Sequence, residues 1–318
     1  MQEIDVMSIG GFRVGSTENE EAGTGCTGIL FDEQAPTGCD VRGGGPASRE
    51  TPLLNPVADC KGLHAILLSG GSAYGLSAAT GVMNYLEERG IGFPVGPNLV
   101  VPLVCQSDVF DLSFGDPHVR PDEAMAYEAC QNASYDKIQE GNFGVGCGCT
   151  YGKMMGPGHD MKGGLGCYAV QVGEVKVGAI VAVNALGDVY DMVSGQQIGG
   201  CHDDKGQLVS GEEIMCNLPA TMHLPNANTT IGAILTNARM DKTTLTKVAS
   251  MAHNGYARAI RPVHTMGDGD SIYASSVGQV QCDVNIVGTL AAHVMGMAIN
   301  RAVRAAKTSH GVVGLGDL

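Results

Sequence analysis

The residues with the most chemical reach lie at a junction. Polar, turn-rich sequence fills 196–226 and ends at Asn228, and the apolar run TTIGAILT begins at Thr229. If the peptide bond between Asn228 and Thr229 were cut, Thr229 would carry a free α-amine beside its own hydroxyl. Such an amine has a reference pKa of ~7.7–8.0, so part of it is neutral near pH 7 and can take the hydroxyl proton. The same hydroxyl could make the cut by attacking the carbonyl carbon of Asn228. Two plainer readings stand beside this one. A threonine that opens a strand is a β-branched residue in its preferred place. Asn228-Thr229-Thr230 is also a formal glycosylation sequon, which matters only in a secreted chain.

Other clusters carry weaker signals. GGSAYG at 70–75 invites comparison with the strained turn that exposes a catalytic serine, but Tyr74 stands where that turn requires glycine. Ser72 with His64 or His264 would be the conventional serine-hydrolase alternative. GDGD at 267–270 is an ordinary turn sequence. Asp268, Asp270 and His264 there are a rival metal-binding set, with no second cluster in support. Cys147 and Cys149 lack the C-x-x-C spacing of a zinc knuckle and read as small buried residues. No P-loop pattern occurs, nucleotide binding is not expected, and no cofactor and no metal are expected.

Composition narrows the partners. The chain has 318 residues, 44% hydrophobic and 16% charged, which fits a globular protein with a sizeable core. A formal net charge of −14 argues against nucleic acid and against an anionic membrane surface. The first residues show no basic region followed by an apolar run, and no stretch reaches the roughly 18–20 apolar residues of a membrane span. A cytoplasmic location and reduced cysteines are the expectation.

The elements that must hold these residues can be read from periodicity. Strands are expected at 26–31, 64–68 and 271–277, and 99–105 is a further apolar run. A hairpin is expected from 167–172 and 175–184, turning at Gly173-Glu174, with Gly187-Asp188 turning into 189–192. Helices are expected over 74–89, within 121–141, after an Asp241 N-cap, and over 286–306 with Ile286, Leu290, Val294, Ala298 and Val303 facing inward. The stretch 196–226 reads as an exposed linker. Mixed strands and amphipathic helices give a layered α/β sandwich.

The stretches AGTGCTGILF, DVRGGGPASRET, LLSGGSAYGLSAATGV, NTTIGAILTNARM, MAHNGYARAI and RPVHTMGDGD run in order through nearly the whole chain. Through them the chain resembles the DmpA-like aminopeptidase family, which includes β-aminopeptidases and nylon-oligomer hydrolases. The resemblance implies an α+β, four-layer αββα sandwich as one domain over 1–318. It also implies self-cleavage into 1–228 and 229–318, and hydrolysis of amide bonds at the amino end of small molecules or short peptides. By the same resemblance Thr229 is the nucleophile, Asn184 an oxyanion donor, Lys153 a cation at the Thr229 hydroxyl, and Asp268 and Asp270 anchors for an ammonium. Phe110 stands where relatives often place a tyrosine, so it offers shape but no side-chain hydrogen bond. Phe110 is also the one feature that favours a binding or assembly protein without activity. With Gly71 and Ser72 it is assigned to the substrate pocket. Relatives form tetramers or larger assemblies, which implies a homo-oligomer.

Overall fold

The structure, a computed structural model, describes residues 1–219 and 228–318. Two sheets lie face to face between two pairs of helices. Strands and helices are numbered here in chain order. The first sheet runs β1 (Gln2–Ile4), β8 (Gly164–Val172), β9 (Val175–Asn184), β10 (Thr229–Ala238), β11 (Ser271–Val280) and β4 (Thr37–Val41). All its pairings are antiparallel except β10 with β11. The second runs β2 (Phe12–Asn19), β3 (Thr24–Ala35), β6 (Leu63–Ser69), β7 (Val104–Asp108) and β5 (Ala47–Arg49).

Side-chain alternation decides which layer each residue joins. Ile180 and Ala182 of β9, Ile231, Ala233 and Leu235 of β10, and Tyr273 of β11 meet Ile29, Ile66, Leu68 and Cys105 between the sheets. The opposite faces of β9 and β10 pack on α3 (Lys242–Ala259) and α4 (Val284–Ala305), through residues such as Val181, Val183, Ala252, Tyr256 and Val294. The outer face of the second sheet packs on α1 (Ala79–Glu87) and α2 (Glu123–Gln131), through Leu67, Val104, Val82, Leu86 and Ala126. This is the four-layer αββα sandwich. Each fully buried Ile or Leu stabilises it by about 1.5–3 kcal/mol.

Several expectations match at the level of elements. The 173–174 turn joins β8 to β9, and Asp241 caps α3 by accepting from the Thr244 N–H at 2.8 Å. Others need correction. The single helix expected over 74–89 is broken into Ser72–Gly75 and α1. The buried Gln106 side chain bridges the break, donating to the Gly75 carbonyl and accepting from the Ala79 N–H. The run at 99–105 divides at Pro102, which separates Leu99–Val101 from β7. Ile286 is 50% exposed, and Val287 and Ala291 take the inner face with Val294 and Ala298. α4 is long and apolar enough to cross a membrane by length and composition, yet two thirds of its apolar window is buried against the first sheet and α3. The presumed linker contains a short strand, Gln197–Gly199, and a helix, Gly211–Cys216. Its stretch 220–226 lies outside the described residues.

Candidate active site

The topology brings three chain segments to the first residue of β10. Because β9 is antiparallel to β10, its last residue, Asn184, lies opposite Thr229. Because β11 is parallel to β10, the turn that precedes it lies at the same tip. The pairing of β10 with β11 starts at Ile231 and Ser271, and Asn228 bridges Asp268 in the same register. Asn228 donates to the Gly267 carbonyl at 3.3 Å, and the Gly269 N–H donates to the Asn228 carbonyl at 2.9 Å. The Thr229 hydroxyl also donates to that carbonyl oxygen. Thr229 is 4% exposed.

A side chain at 269 would press on Thr229. A Cβ there would lie 2.8 Å from Thr229 Oγ1 and 3.1 Å from its methyl. The turn is held from outside by residues 42–45. Arg42 and Gly43 donate to the Asp270 carbonyl, Gly44 to that of Thr265, and Gly45 to that of Asp268. A Cβ on Gly43 would come within 2.2 Å of the Asp268 carbonyl oxygen, so the close approach requires glycine there. The glycine loop at Gly43–Gly45 therefore shapes this corner through its main chain.

Asn184 is fully buried and every polar atom of its side chain is engaged. Its Oδ1 accepts from the Thr150 N–H at 3.0 Å and from Lys153 Nζ at 2.8 Å. Two donors at one atom fix the amide orientation. Nδ2 donates to the Phe110 carbonyl at 2.8 Å. Phe110 thus contributes a hydrogen-bond acceptor from its backbone, although its side chain has none. Gly71 and Ser72 are tied to the same stretch, Gly71 N–H to Asp111 Oδ1 at 2.7 Å and Ser72 N–H to the Val109 carbonyl at 3.0 Å.

Lys153 comes from the loop after the strand pair at Thr150–Tyr151. Burial of its ammonium pulls the pKa down to about 8, while Asp160, Cys149, Asp268 and Asp111 act in the opposite direction. That loop is fixed by a second lysine that sequence reasoning missed. Lys162 is 0% exposed and gives its three hydrogens to the carbonyls of Gly146, Cys149 and Gly163 at 2.8–2.9 Å. Nothing in the one-dimensional pattern marks a fully buried lysine.

The two aspartates differ in surroundings. Asp268 Oδ2 accepts from the Thr265 N–H at 2.7 Å and from its hydroxyl at 2.6 Å. Burial, and then the charge of Asp270, push the Asp268 carboxyl above its usual range. Asp270 is 1% exposed, and its Oδ1 accepts from the Thr230 N–H at 2.7 Å. Its Oδ2 accepts from the His264 N–H and faces His264 Nδ1 at 2.8 Å. His264 therefore partners Asp270. His64 sits near the start of β6, with Nδ1 on the Leu103 N–H, whereas Ser72 lies beyond the other end of that strand. Strand rise alone separates the ends of β6 by about 20 Å, so Ser72 and His64 form no dyad. Among the described residues no three His, Cys, Asp or Glu side chains group in a way that could hold a metal ion. Burial raises the Cys149 thiol to about 12 and the Cys147 thiol to about 11.

The arrangement is a hydroxyl at a strand tip, a backbone donor on the adjoining carbonyl, a buried amide and lysine to one side, and two carboxyls to the other. The model of peptidase family S58 matches residues 5–315. An uncharacterized aminopeptidase of Mycobacterium leprae is 39% identical, over 81% of this chain and 72% of that protein. A 6-aminohexanoate-oligomer endohydrolase of Kocuria sp. is 30% identical, over 92% of this chain and 84% of its own. Among solved structures, the L-aminopeptidase D-Ala-esterase/amidase of Ochrobactrum anthropi, described as a variant of the Ntn-hydrolase fold, superposes with a TM-score of 0.74. That match has 18% identity and covers 98% of this chain and 90% of the other. A Burkholderia sp. β-aminopeptidase gives 0.73 at 20% identity, over 98% and 90%. The sandwich is therefore of the Ntn-hydrolase type, and the chain belongs to peptidase family S58.

Proposed function

We propose that the protein is an amide hydrolase that cuts itself between Asn228 and Thr229, yielding 1–228 and 229–318, and then uses Thr229 as an N-terminal nucleophile. The observation that carries this reading is the double engagement of the Asn228 carbonyl by the Thr229 hydroxyl and the Gly269 N–H.

In the first reaction the Thr229 oxygen adds to the Asn228 carbonyl carbon, and negative charge develops on the carbonyl oxygen. The Gly269 N–H already points at that atom. Collapse breaks the C–N bond, moves the hydroxyl proton to the nitrogen, and leaves Asn228 as an ester on Thr229. Water hydrolyses the ester, releasing the Asn228 carboxylate and leaving the Thr229 hydroxyl beside its free α-amine. In the second reaction that amine takes the hydroxyl proton as Thr229 attacks a substrate amide, giving an acyl-enzyme and an amine product. Lys153 and Asn184 lie on one side of the nucleophile, and Asp268 and Asp270 on the other. The names of the relatives favour substrates with a free amino end, either short peptides or ω-amino oligomers.

Intact-mass measurement of the purified protein tests the reading. The expected result is two associated fragments whose masses sum to the chain plus one water. Active protein that remains one uncut chain would refute it.

A further inference from the structure

We infer that His264 is a positioning residue for self-cleavage, whose ring and backbone donors aim the Asp270 carboxyl at the start of β10. The inference rests on the proposed role of Thr229.

Both oxygens of Asp270 receive donors, one from Thr230 N–H and the other from His264 twice, through its backbone N–H at 3.1 Å and its ring Nδ1 at 2.8 Å. Three donors on two oxygens leave the carboxyl one orientation. The Nδ1 that faces it carries the proton, an assignment that follows from the partner. The ring has no freedom to leave. It stacks on Tyr256 at 5.8 Å and meets His253 edge-on at 4.7 Å. His264 also holds a backbone φ of +60°, a region that residues with side chains seldom adopt. Such a conformation persists where the surroundings over-determine it.

The charges around the ring are few. His253 and Tyr256 face it from α3. His253 donates through Nε2 to the Asp40 carbonyl at 3.0 Å, and burial lowers its pKa to about 4, so it is neutral in the working range. Asp40 and Arg42, from β4 and just beyond it, lie past His253. Asp268 and Asp270 share its own loop. His264 donates to Asp270, whereas Asp268 takes its donors from Thr265. The histidine therefore orients one carboxyl of the pair and leaves the other to its own turn.

The test compares His264→Asn with His264→Leu. An asparagine amide nitrogen falls near the place of Nδ1 and tolerates positive φ, so it keeps the donor. Freshly synthesised chain from cell-free translation is followed for fragment formation at about pH 7. The expected result is splitting slowed about tenfold or more in His264→Leu, because the carboxyl is no longer held in place, and a wild-type rate in His264→Asn. Equal impairment of both variants, or a wild-type rate in His264→Leu, overturns the inference. Should His264→Leu fail to fold, His264→Gln replaces it. Its amide reaches past Asp270, so the same slowing is expected, and a wild-type rate again overturns the role. Splitting that survives Thr229→Ala would instead refute the nucleophile reading, so the two failures are distinguishable.

Discussion

The Gly269 N–H donates to the Asn228 carbonyl oxygen at 2.9 Å, in the parallel register that continues through Ile231 and Ser271. An ordinary ladder hydrogen bond therefore falls on the carbonyl of the proposed cleavage site. Sheet formation itself sets a donor where charge would develop, and no reorganisation is needed when the hydroxyl attacks. Gly269→Ala checks this relationship. The new Cβ would crowd Thr229 Oγ1 and displace it, and a displacement of about 1 Å costs on the order of 10²-fold in rate. The half-time of fragment formation should lengthen accordingly.

Thr229→Ala should give a folded chain of full mass with no fragments. Thr229→Ser should still split, because it keeps the hydroxyl. Intact-mass spectra of the two purified variants decide the matter, and fragments from the alanine variant would exclude Thr229.

Asn184→Ala should lower kcat on an aminoacyl anilide by roughly 10²–10³-fold, the usual loss for one oxyanion donor. In the uncut chain its Nδ2 is committed to the Phe110 carbonyl. The substitution also leaves the Thr150 N–H without its partner. A lowered Tm should therefore accompany the kinetic loss, and steady-state kinetics with a thermal melt separates the two effects.

Lys153 should give an alkaline limb. Its pKa is lowered to about 8, so the ammonium that donates to Asn184 Oδ1 is present below that pH and lost above it. The kcat–pH profile should fall near pH 8, and Lys153→Met should lower kcat and abolish that limb. A limb unchanged in Lys153→Met would assign it elsewhere.

Lys162→Met should destabilise the fold by about 3–5 kcal/mol, because the carbonyls of Gly146, Cys149 and Gly163 lose their buried donor. Urea unfolding in the Thr229→Ala background, where the chain stays whole, measures this cleanly.

By itself the sequence determined the elements whose signals are short-ranged. Alternation in VGAIVAVN marks β9, Asp241 before KTTL marks the start of α3, and the change from polar to apolar at Asn228-Thr229 marks where β10 begins. These follow from side-chain period and capping, which act within a few residues. Tertiary structure alone decided the rest. Gln106, on β7 beneath, bridges the break in the helix expected over 74–89. Packing of α4 against α3 and the first sheet buries Val287 and leaves Ile286 half exposed. The hold of the Phe110 carbonyl on Asn184 depends on how the two sheets stack, and the fall of the Gly269 N–H on the Asn228 carbonyl depends on ladder register. Register is set by how two buried faces of the sheet fit their neighbours, a long-range agreement that no local window of residues contains.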